Sequence, residues 1–117
     1  MFRINNNDFK ILSKYKEFLL ELDNVLENVP RKDMFYKDKI KEIGIELLNE
    51  IIESSYSNDK LSYFASIKAK ISVIDFELER FNNKKYISLN AVNSLGLKLV
   101  EINKMLMGFL KNECKVN

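Results

Sequence analysis

The sequence predicts an all-α fold, an antiparallel up-down-up-down four-helix bundle. Its 117 residues include one proline, Pro30, and three glycines, too few turn-forming residues for a domain of many short strands. Apolar residues also recur at alternating three- and four-residue steps in four separate segments, which is the period of a helix with one buried face. Because 46% of the residues are hydrophobic, we expect residues 1–117 to close a single core as one domain.

The first stripe predicts a helix over about residues 8–28. Its apolar positions are Leu12, Tyr15, Leu19, Leu22, Leu26 and Val29. Pro30 ends this helix because its ring removes a hydrogen-bond donor and favours extended geometry at the preceding residue. Asp33 then lies where the N-cap of a second helix is expected, over about residues 34–56. That helix carries the stripe Ile40, Ile43, Leu47 and Ile51.

Two further stripes predict helices over about residues 60–81 and 89–111. The polar segments 57–59 and 82–85 separate them from their neighbours, and Ser88 is a suitable N-cap for the last helix. The stripes are Phe64, Ile67, Ile71, Ile74, Leu78 and Phe81, then Val92, Leu95, Leu99, Ile102, Leu106 and Phe109. A sustained 3.5-residue period and short connections predict shallow left-handed packing of antiparallel neighbours.

The residue inventory argues against an enzyme. The chain has no histidine, so the usual base of a hydrolytic triad and the usual transition-metal ligand are missing. It has no glycine-rich phosphate loop, and Cys114 is expected to be an incidental thiol. The carboxylates of the second helix are read as a solvated face. We therefore expect no catalytic residue, metal, cofactor or small-molecule substrate.

Charge and cysteine content bound the location and the partners. The net charge of +2 describes a mildly basic surface, so any basic function must be local. A single cysteine forms no intramolecular disulfide, and the first residues do not resemble a signal peptide. No stretch is apolar and long enough to span a bilayer. These features predict a cytoplasmic protein without a membrane partner.

The apolar arcs are wider than one bundle core needs, which favours a homo-oligomer over a monomer with a few exposed apolar residues. The additional positions are Ile45, Leu48 and Ile52 on the second helix, Val73 and Phe76 on the third, and Val100, Met107 and Leu110 on the fourth. Asn103 lies within the last arc. Its amide either fixes the register of an interface or bonds a neighbouring backbone carbonyl. The candidate oligomer interface is Val100, Asn103, Met107 and Leu110.

Basic residues cluster at the expected first and third connections. In the predicted topology these connections lie at the same end, which brings together Arg31, Lys32, Arg80, Lys84 and Lys85. A cyclic oligomer would repeat the patch around a rim and strengthen its field. The alternative is an ordinary pair of solvated loops, diluted by Asp33 and Glu79. The five cations are the candidate nucleic-acid or partner-binding residues.

Three segments carry a resemblance to a known family: VLENVPRK at 25–32, LLNEIIE at 47–53 and VEINKMLMGFLK at 100–111. They resemble small four-helix bundle proteins that include the accessory variability determinant (Avd) of diversity-generating retroelements. The family also contains proteins encoded in intervening sequences of large-subunit ribosomal RNA genes. The most specific parts are the Pro30-Arg31-Lys32 corner and the direct matches at Lys104, Met105, Leu106 and Gly108.

The resemblance implies a homopentameric barrel that binds nucleic acid and, in retroelement members, a reverse transcriptase. Arg31 and Lys32 match the basic corner of the family, and Arg80 matches an arginine of the third helix used for polymerase and nucleic-acid contact. The first hypothesis is therefore an Avd-like accessory protein that binds RNA or DNA and docks a reverse transcriptase. The second is an intervening-sequence-type bundle that acts as a protein-interaction scaffold without nucleic-acid binding. The acidic residues Asp75, Glu77 and Glu79 on the third helix favour this second hypothesis.

Overall fold

The computed structural model describes residues 6–112, which form four α-helices and two short 3₁₀ turns, without a strand. The helices are α1 (Asn6–Leu26), α2 (Met34–Tyr56), α3 (Phe64–Asn83) and α4 (Leu89–Asn112). α1 packs against α2 and α4, and α3 packs against the same two helices. The predicted all-α class is confirmed. None of these four helices contains an apolar stretch long enough to cross a membrane.

The helix boundaries follow the predictions to within a few residues. α1 ends at Leu26 because a turn follows at once, in which the Val29 N–H donates to the Leu26 carbonyl at 3.0 Å. The predicted start of the third helix at residue 60 is corrected, since Lys60–Tyr63 form a 3₁₀ turn and α3 begins at Phe64. α3 then continues to Asn83, two residues beyond the predicted end.

The two predicted N-caps behave differently. Ser88 caps α4 as predicted, since its Oγ accepts a hydrogen bond from the Ala91 N–H at 3.1 Å. Asp33 holds the N-cap position of α2, but its carboxylate makes no capping hydrogen bond. It accepts instead from Lys84 and Tyr86, 51 and 53 residues further along the chain. The capping hydrogen bond predicted for Asp33 is therefore not formed, because the carboxylate is held by two partners from the third connection that both donate to its Oδ2.

The core is built from one apolar stripe per helix, and most predicted stripe residues are buried. On α1 the buried stripe is rotated about the helix axis relative to the predicted one. Phe18 is fully buried although the predicted stripe omitted it, whereas Leu19 is only partly buried. Phe18 and Leu19 lie three and four residues after Tyr15, so both fit the helical period. The period alone therefore does not show which of the two is buried.

A buried hydrogen bond joins α1 to α2. The Tyr15 hydroxyl, fully enclosed, donates to the Gly44 carbonyl at 2.7 Å. Burial raises the pKa of this hydroxyl, so it remains a neutral donor. The helices approach closely at this point, because a Cβ added at Gly44 would lie 3.1 Å from the Leu19 Cδ2. Glycine at this position therefore permits the contact that the tyrosine makes.

Replacing Tyr15 with Phe tests this contact. The ring and its packing are retained, but a buried hydrogen bond is lost. We expect a decrease of about 0.5–1.5 kcal/mol in the free energy of unfolding, measured by urea denaturation. Tyr63→Phe is the matched control, since the partly buried Tyr63 hydroxyl makes no hydrogen bond within residues 6–112. Equal stability of the two variants would contradict the assigned role.

Candidate nucleic-acid interface

The structure brings the first and third connections together at one end, which we call the basic end: Arg31, Lys32, Arg80, Lys84 and Lys85. The contact that joins them is centred on Asp33. Its Oδ2 accepts hydrogen bonds from the Lys84 Nζ at 3.0 Å and from the Tyr86 hydroxyl at 2.6 Å. The predicted meeting of these two connections is thus observed, through a carboxylate at its centre.

The Asp33 carboxylate is largely removed from solvent, with 8% of the residue exposed. The hydrogen bond from Tyr86, followed by that from Lys84, lowers the pKa of Asp33 below its ordinary value. The same bond raises the pKa of the Tyr86 hydroxyl, because its ionisation would place two negative charges side by side. Lys84 is therefore engaged by an internal carboxylate and is not a free cation.

Arg80 is also engaged within the chain. Its Nη2 lies 2.7 and 2.8 Å from the two carboxylate oxygens of Glu77, and its guanidinium stacks 3.8 Å from the centre of the Tyr36 ring. The bond to Glu77, and then the contact with Tyr36, raise the pKa of Arg80 above its ordinary value. The Nε is buried without a hydrogen-bond partner among the described residues. Phosphate contact by Arg80 would require this arrangement to break.

Lys85 is positioned by the end of α3. The Tyr86 N–H donates to the Phe81 carbonyl at 3.0 Å, and the Lys85 N–H donates to the Asn82 carbonyl at 2.8 Å. The Tyr86 ring packs 6.3 Å from the Phe81 ring, centre to centre. These contacts form a Schellman motif, in which the residue before Tyr86 adopts the left-handed conformation. Lys85 accordingly has φ = 66° at a position that glycine occupies without strain.

Arg31, Lys32 and Lys85 are exposed, and none of the three forms an ion pair or side-chain hydrogen bond with the described residues, although the charge of Lys32 helps to lower the pKa of Asp33. Arg31 and Lys32 lie on the 3₁₀ turn after Pro30, whose extended backbone directs the chain outward. The predicted set of five therefore divides into three free cations and two that are neutralised internally. A shallow pocket lined by Lys32, Asp33, Lys84 and Tyr86 lies between the two connections.

Of the two carboxylates expected to dilute the charge of this end, Asp33 does so by pairing with Lys84. Glu77, which was not expected to take part, pairs with Arg80. The three-residue spacing of Glu77 and Arg80 on a helix was a usable signal. Tyr36 and Tyr86 carried no comparable signal, because their contacts depend on tertiary packing.

The four residues of the candidate oligomer interface differ in exposure. Val100 is 53% exposed, whereas Asn103 and Met107 are partly buried. Leu110 is fully buried in the core and offers no surface to a second chain, which corrects that assignment. It continues the core stripe of α4 one turn beyond Leu106. The Asn103 Oδ1 is buried without a partner among the described residues, and no bond from this amide to a backbone carbonyl is observed there.

Charged side chains close two of the four seams between neighbouring helices. At the α1/α4 seam, Glu21 accepts hydrogen bonds from Lys98 at 2.6 Å and from Ser94 at 3.1 Å. The same arrangement joins α2 to α3, around Glu50 with Lys70 and Ser66. A further pair, Lys14 with Glu101 at 2.7 Å, also crosses the α1/α4 seam. These two sides of the bundle are polar.

Exposed apolar side chains occur near the other two seams, and no ion pair among the side chains described at positions 10–111 crosses these seams. Leu19 and Gly44 are in contact at the α1/α2 seam, and the next residue on each helix, Leu20 and Ile45, is well exposed. At the α3/α4 seam, Ile71, Leu99 and Val100 line a groove together with polar and charged residues: Lys68, Ser72, Asp75, Gly96 and Asn103. Phe76 lies one turn beyond Ser72 and is 62% exposed. The predicted second apolar face is thus divided between two sides of the bundle.

No protein-family model and no curated protein matches this chain. Among the side chains described at positions 10–111, no three histidine, cysteine, aspartate or glutamate residues lie close enough together to hold a metal ion. Cys114 lies outside the described residues.

Replacing Asp33 with Asn tests the contact between the two connections. Because the folded-state pKa of Asp33 lies below its ordinary value of 3.8, its stabilising effect is present above that value. The effect is lost as the pH falls through the folded-state pKa. We expect Asp33→Asn to be less stable than the unmodified chain at about pH 7, and the difference to shrink at about pH 2–3.

The measurement is urea unfolding at both pH values. Asp38→Asn serves as the control, since Asp38 is exposed on α2 and makes no side-chain contact to the described residues. A stability difference for Asp33→Asn that is independent of pH would exclude the charged carboxylate as its cause.

Proposed function

We propose that this protein is an Avd-like, non-enzymatic accessory protein that self-associates and binds nucleic acid, a reverse transcriptase, or both, in a diversity-generating retroelement. The observation that carries the proposal is the placement of Arg31, Lys32 and Lys85 at one end of the molecule without internal partners. Contacts from these cations to phosphates hold a nucleic acid in place without reading its sequence. Arg80 and Lys84 stabilise the structure of the basic end.

The proposed topology is an up-down-up-down bundle. It is supported by contacts in which the residue number increases along one helix while it decreases along the partner helix. Lys14 pairs with Glu101 while Glu21 pairs with Lys98. Likewise, Asp33 at the start of α2 contacts residue 84, and Glu50 further along contacts residue 70. Both sets of pairs are those expected of antiparallel neighbours.

The conformation of Lys85 supports a role for its charge. A non-glycine residue with positive φ costs on the order of 1 kcal/mol relative to glycine at such a position. The chain carries a cation where the backbone favours glycine, and that cation directly follows Lys84, which contacts Asp33 at the basic end. Backbone strain of this kind at an exposed charged residue is a reason to propose a functional role for that residue.

Self-association is proposed to use the α1/α2 and α3/α4 seams. These seams lie on two different sides of the bundle, and they carry Leu20 and Ile45 on one side and Phe76 and Val100 on the other. Contact between unlike faces of successive chains is heterologous and closes into a ring when the rotation permits. The family resemblance implies five subunits. Such a ring would repeat the three free cations of the basic end in every subunit.

The second candidate is a protein-interaction scaffold that binds no nucleic acid. It is favoured by the internal neutralisation of Arg80 and Lys84, which lowers the net positive charge of the basic end. In this case the apolar seams would provide the binding surface. Binding to the partner would then be insensitive to salt, because burial of apolar area is not screened by ions.

Reversal of the three free cations tests the first candidate. If all three contact phosphates, RNA affinity of a single chain should fall about 20- to 40-fold between 50 and 200 mM salt. The variant Arg31→Glu, Lys32→Glu, Lys85→Glu should lose this salt-sensitive binding, measured by fluorescence anisotropy with a structured RNA. The control makes the same change of charge elsewhere, at the exposed residues Lys16, Lys39 and Lys104. Unchanged RNA affinity in the first variant would refute the proposed contacts.

A single change at Lys85 separates charge from folding. Lys85→Gly relieves the left-handed strain and removes one cation, so we expect the free energy of unfolding to rise by up to about 1 kcal/mol. RNA affinity should fall in the same variant. A loss of binding in a more stable protein has no explanation through misfolding, and retained binding would remove Lys85 from the site.

Substitutions at the α3/α4 seam test the proposed self-association. Phe76→Lys and Val100→Lys place a charge on an apolar contact surface, and we expect each to lower the mass measured by light scattering toward that of a single chain. Phe35→Lys is the control, since Phe35 is 66% exposed but lies at the start of α2, beside the basic end. An unmodified chain that is already monomeric would exclude the oligomer.

A further inference from the structure

Lysines lie over aromatic rings where the 3₁₀ turn between α2 and α3 meets the end of α4. The lysine-aromatic patch consists of Lys60, Phe64, Lys68, Phe109 and Lys111. The Lys60 Nζ lies 5.1 Å from the centre of the Phe109 ring. The Nζ atoms of Lys111 and Lys68 lie 5.3 and 5.7 Å from the centre of the Phe64 ring. One turn, one helix start and one helix end thus supply a single cluster.

The patch is remote from the basic end. α2 contains 23 residues, so its far end lies about 35 Å from Asp33 at a rise of 1.5 Å per residue. The patch begins four residues beyond that far end, at Lys60. A ligand held at the patch is therefore distinct from one held by Arg31, Lys32 and Lys85.

The lysines of the patch differ from the neutralised cations of the basic end. Lys68 and Lys111 are exposed and face an aromatic ring, without an ion pair to a described residue. Lys60 donates a hydrogen bond to the Ser57 carbonyl at 3.0 Å. The charges of Lys68 and Lys111 are thus held by weak cation-π contacts that a phosphate can replace.

The two rings are fixed in orientation. Phe64 and Phe109 are partly buried and pack against the hydrophobic core, while lysine ammonium groups lie over them. A ring that packs against the core and has lysine ammonium groups near it is suited to stacking with a base once those groups move aside. Base stacking on an aromatic ring is generally stronger than an exposed cation-π contact, so a base can take the place of the ammonium.

We propose that the lysine-aromatic patch binds single-stranded nucleic acid. Unpaired bases stack on Phe64 and Phe109, while Lys60, Lys68 and Lys111 move from the rings to the adjacent phosphates. The inference shares with the proposed function only the class of ligand, a nucleic acid. It assigns that ligand to different residues and to a different mode of recognition, stacking instead of phosphate contact alone.

A duplex and a membrane fit this patch less well. Bases within a duplex are already stacked and present only their edges, whereas an unpaired base has a free face. Both phenylalanine rings pack against the core of the chain, so insertion into lipid would have to use the neighbouring Leu61, which is 46% exposed on the same turn. The partly buried ring beneath a lysine therefore favours the unpaired base.

The test uses short single-stranded oligonucleotides of uridine or deoxythymidine that contain one 2-aminopurine, whose fluorescence is quenched on stacking. We expect the full chain to quench the probe. Phe64→Leu and Phe109→Leu keep an apolar side chain in the core and should abolish quenching, with affinity reduced about 5-fold or more for each base that no longer stacks. Phe35→Leu is the aromatic control beside the basic end. Comparison of the two oligonucleotides distinguishes RNA from DNA.

A second variant does not disturb the core. Lys68→Gln with Lys111→Gln changes only exposed residues and should weaken binding of the same oligonucleotides, with a smaller dependence on salt. Unchanged quenching in the leucine variants would overturn the inference, as would equal affinity for a duplex of the same length. Binding to vesicles containing phosphatidylserine, lost in the glutamine variant while the oligonucleotides do not bind, would assign the patch to a membrane instead.

The two sites fail independently. If reversal of Arg31, Lys32 and Lys85 leaves quenching intact, the patch is supported and the basic end is not required for it. If that reversal abolishes binding of structured RNA while the leucine variants bind and quench normally, the proposed function stands and the patch is excluded.

Discussion

Burial of one apolar stripe on each of four helices is the constraint on which the rest of the structure depends. Because each stripe must face the centre, the rotation of each helix is determined, and with it the side chains that line the seams. Close approach at Gly44 allows the Tyr15 hydroxyl to reach a backbone carbonyl across the α1/α2 contact. The connections between the helices then lie at the ends of the molecule, where the basic end and the lysine-aromatic patch are found.

Carboxylates decide which of the cations remain available. Asp33 and Glu77 neutralise Lys84 and Arg80, and the resulting contacts stabilise the corner between the first and third connections. Arg31, Lys32 and Lys85 have no such partner among residues 6–112, and Lys68 and Lys111 face rings. The net charge of +2 therefore does not indicate that the chain has two separate basic surfaces with different surroundings. Local pairing, not total charge, determines where an anionic ligand can bind.

Much of the fold could be predicted from the sequence, because helix positions depend on short-range periodicity. The four segments, the Ser88 cap and the meeting of residues 31–33 with residue 84 all followed from spacing and loop length. The burial of Phe18 and Leu110 was not predicted, because a step of three residues and a step of four fit the helical period equally well. The pairing of Asp33 with Lys84 spans 51 residues and depends on packing, so no local pattern could indicate which cations are neutralised.

The proposed self-association and the two proposed binding sites are compatible because they use different directions of the molecule. The apolar seams run along the sides of a particle about 50 Å long and 23–28 Å wide, whereas the cations lie at its ends. Contact between the α1/α2 side of one chain and the α3/α4 side of the next covers Leu20, Ile45, Phe76 and Val100, and it approaches Lys68, which lines the α3/α4 groove and also faces the Phe64 ring. A ring built in this way carries the free cations of the basic end on one rim and the stacking residues on the other. A structured RNA held by phosphate contacts at the first rim reaches the second only through an unpaired strand that spans the length of a helix, about 35 Å.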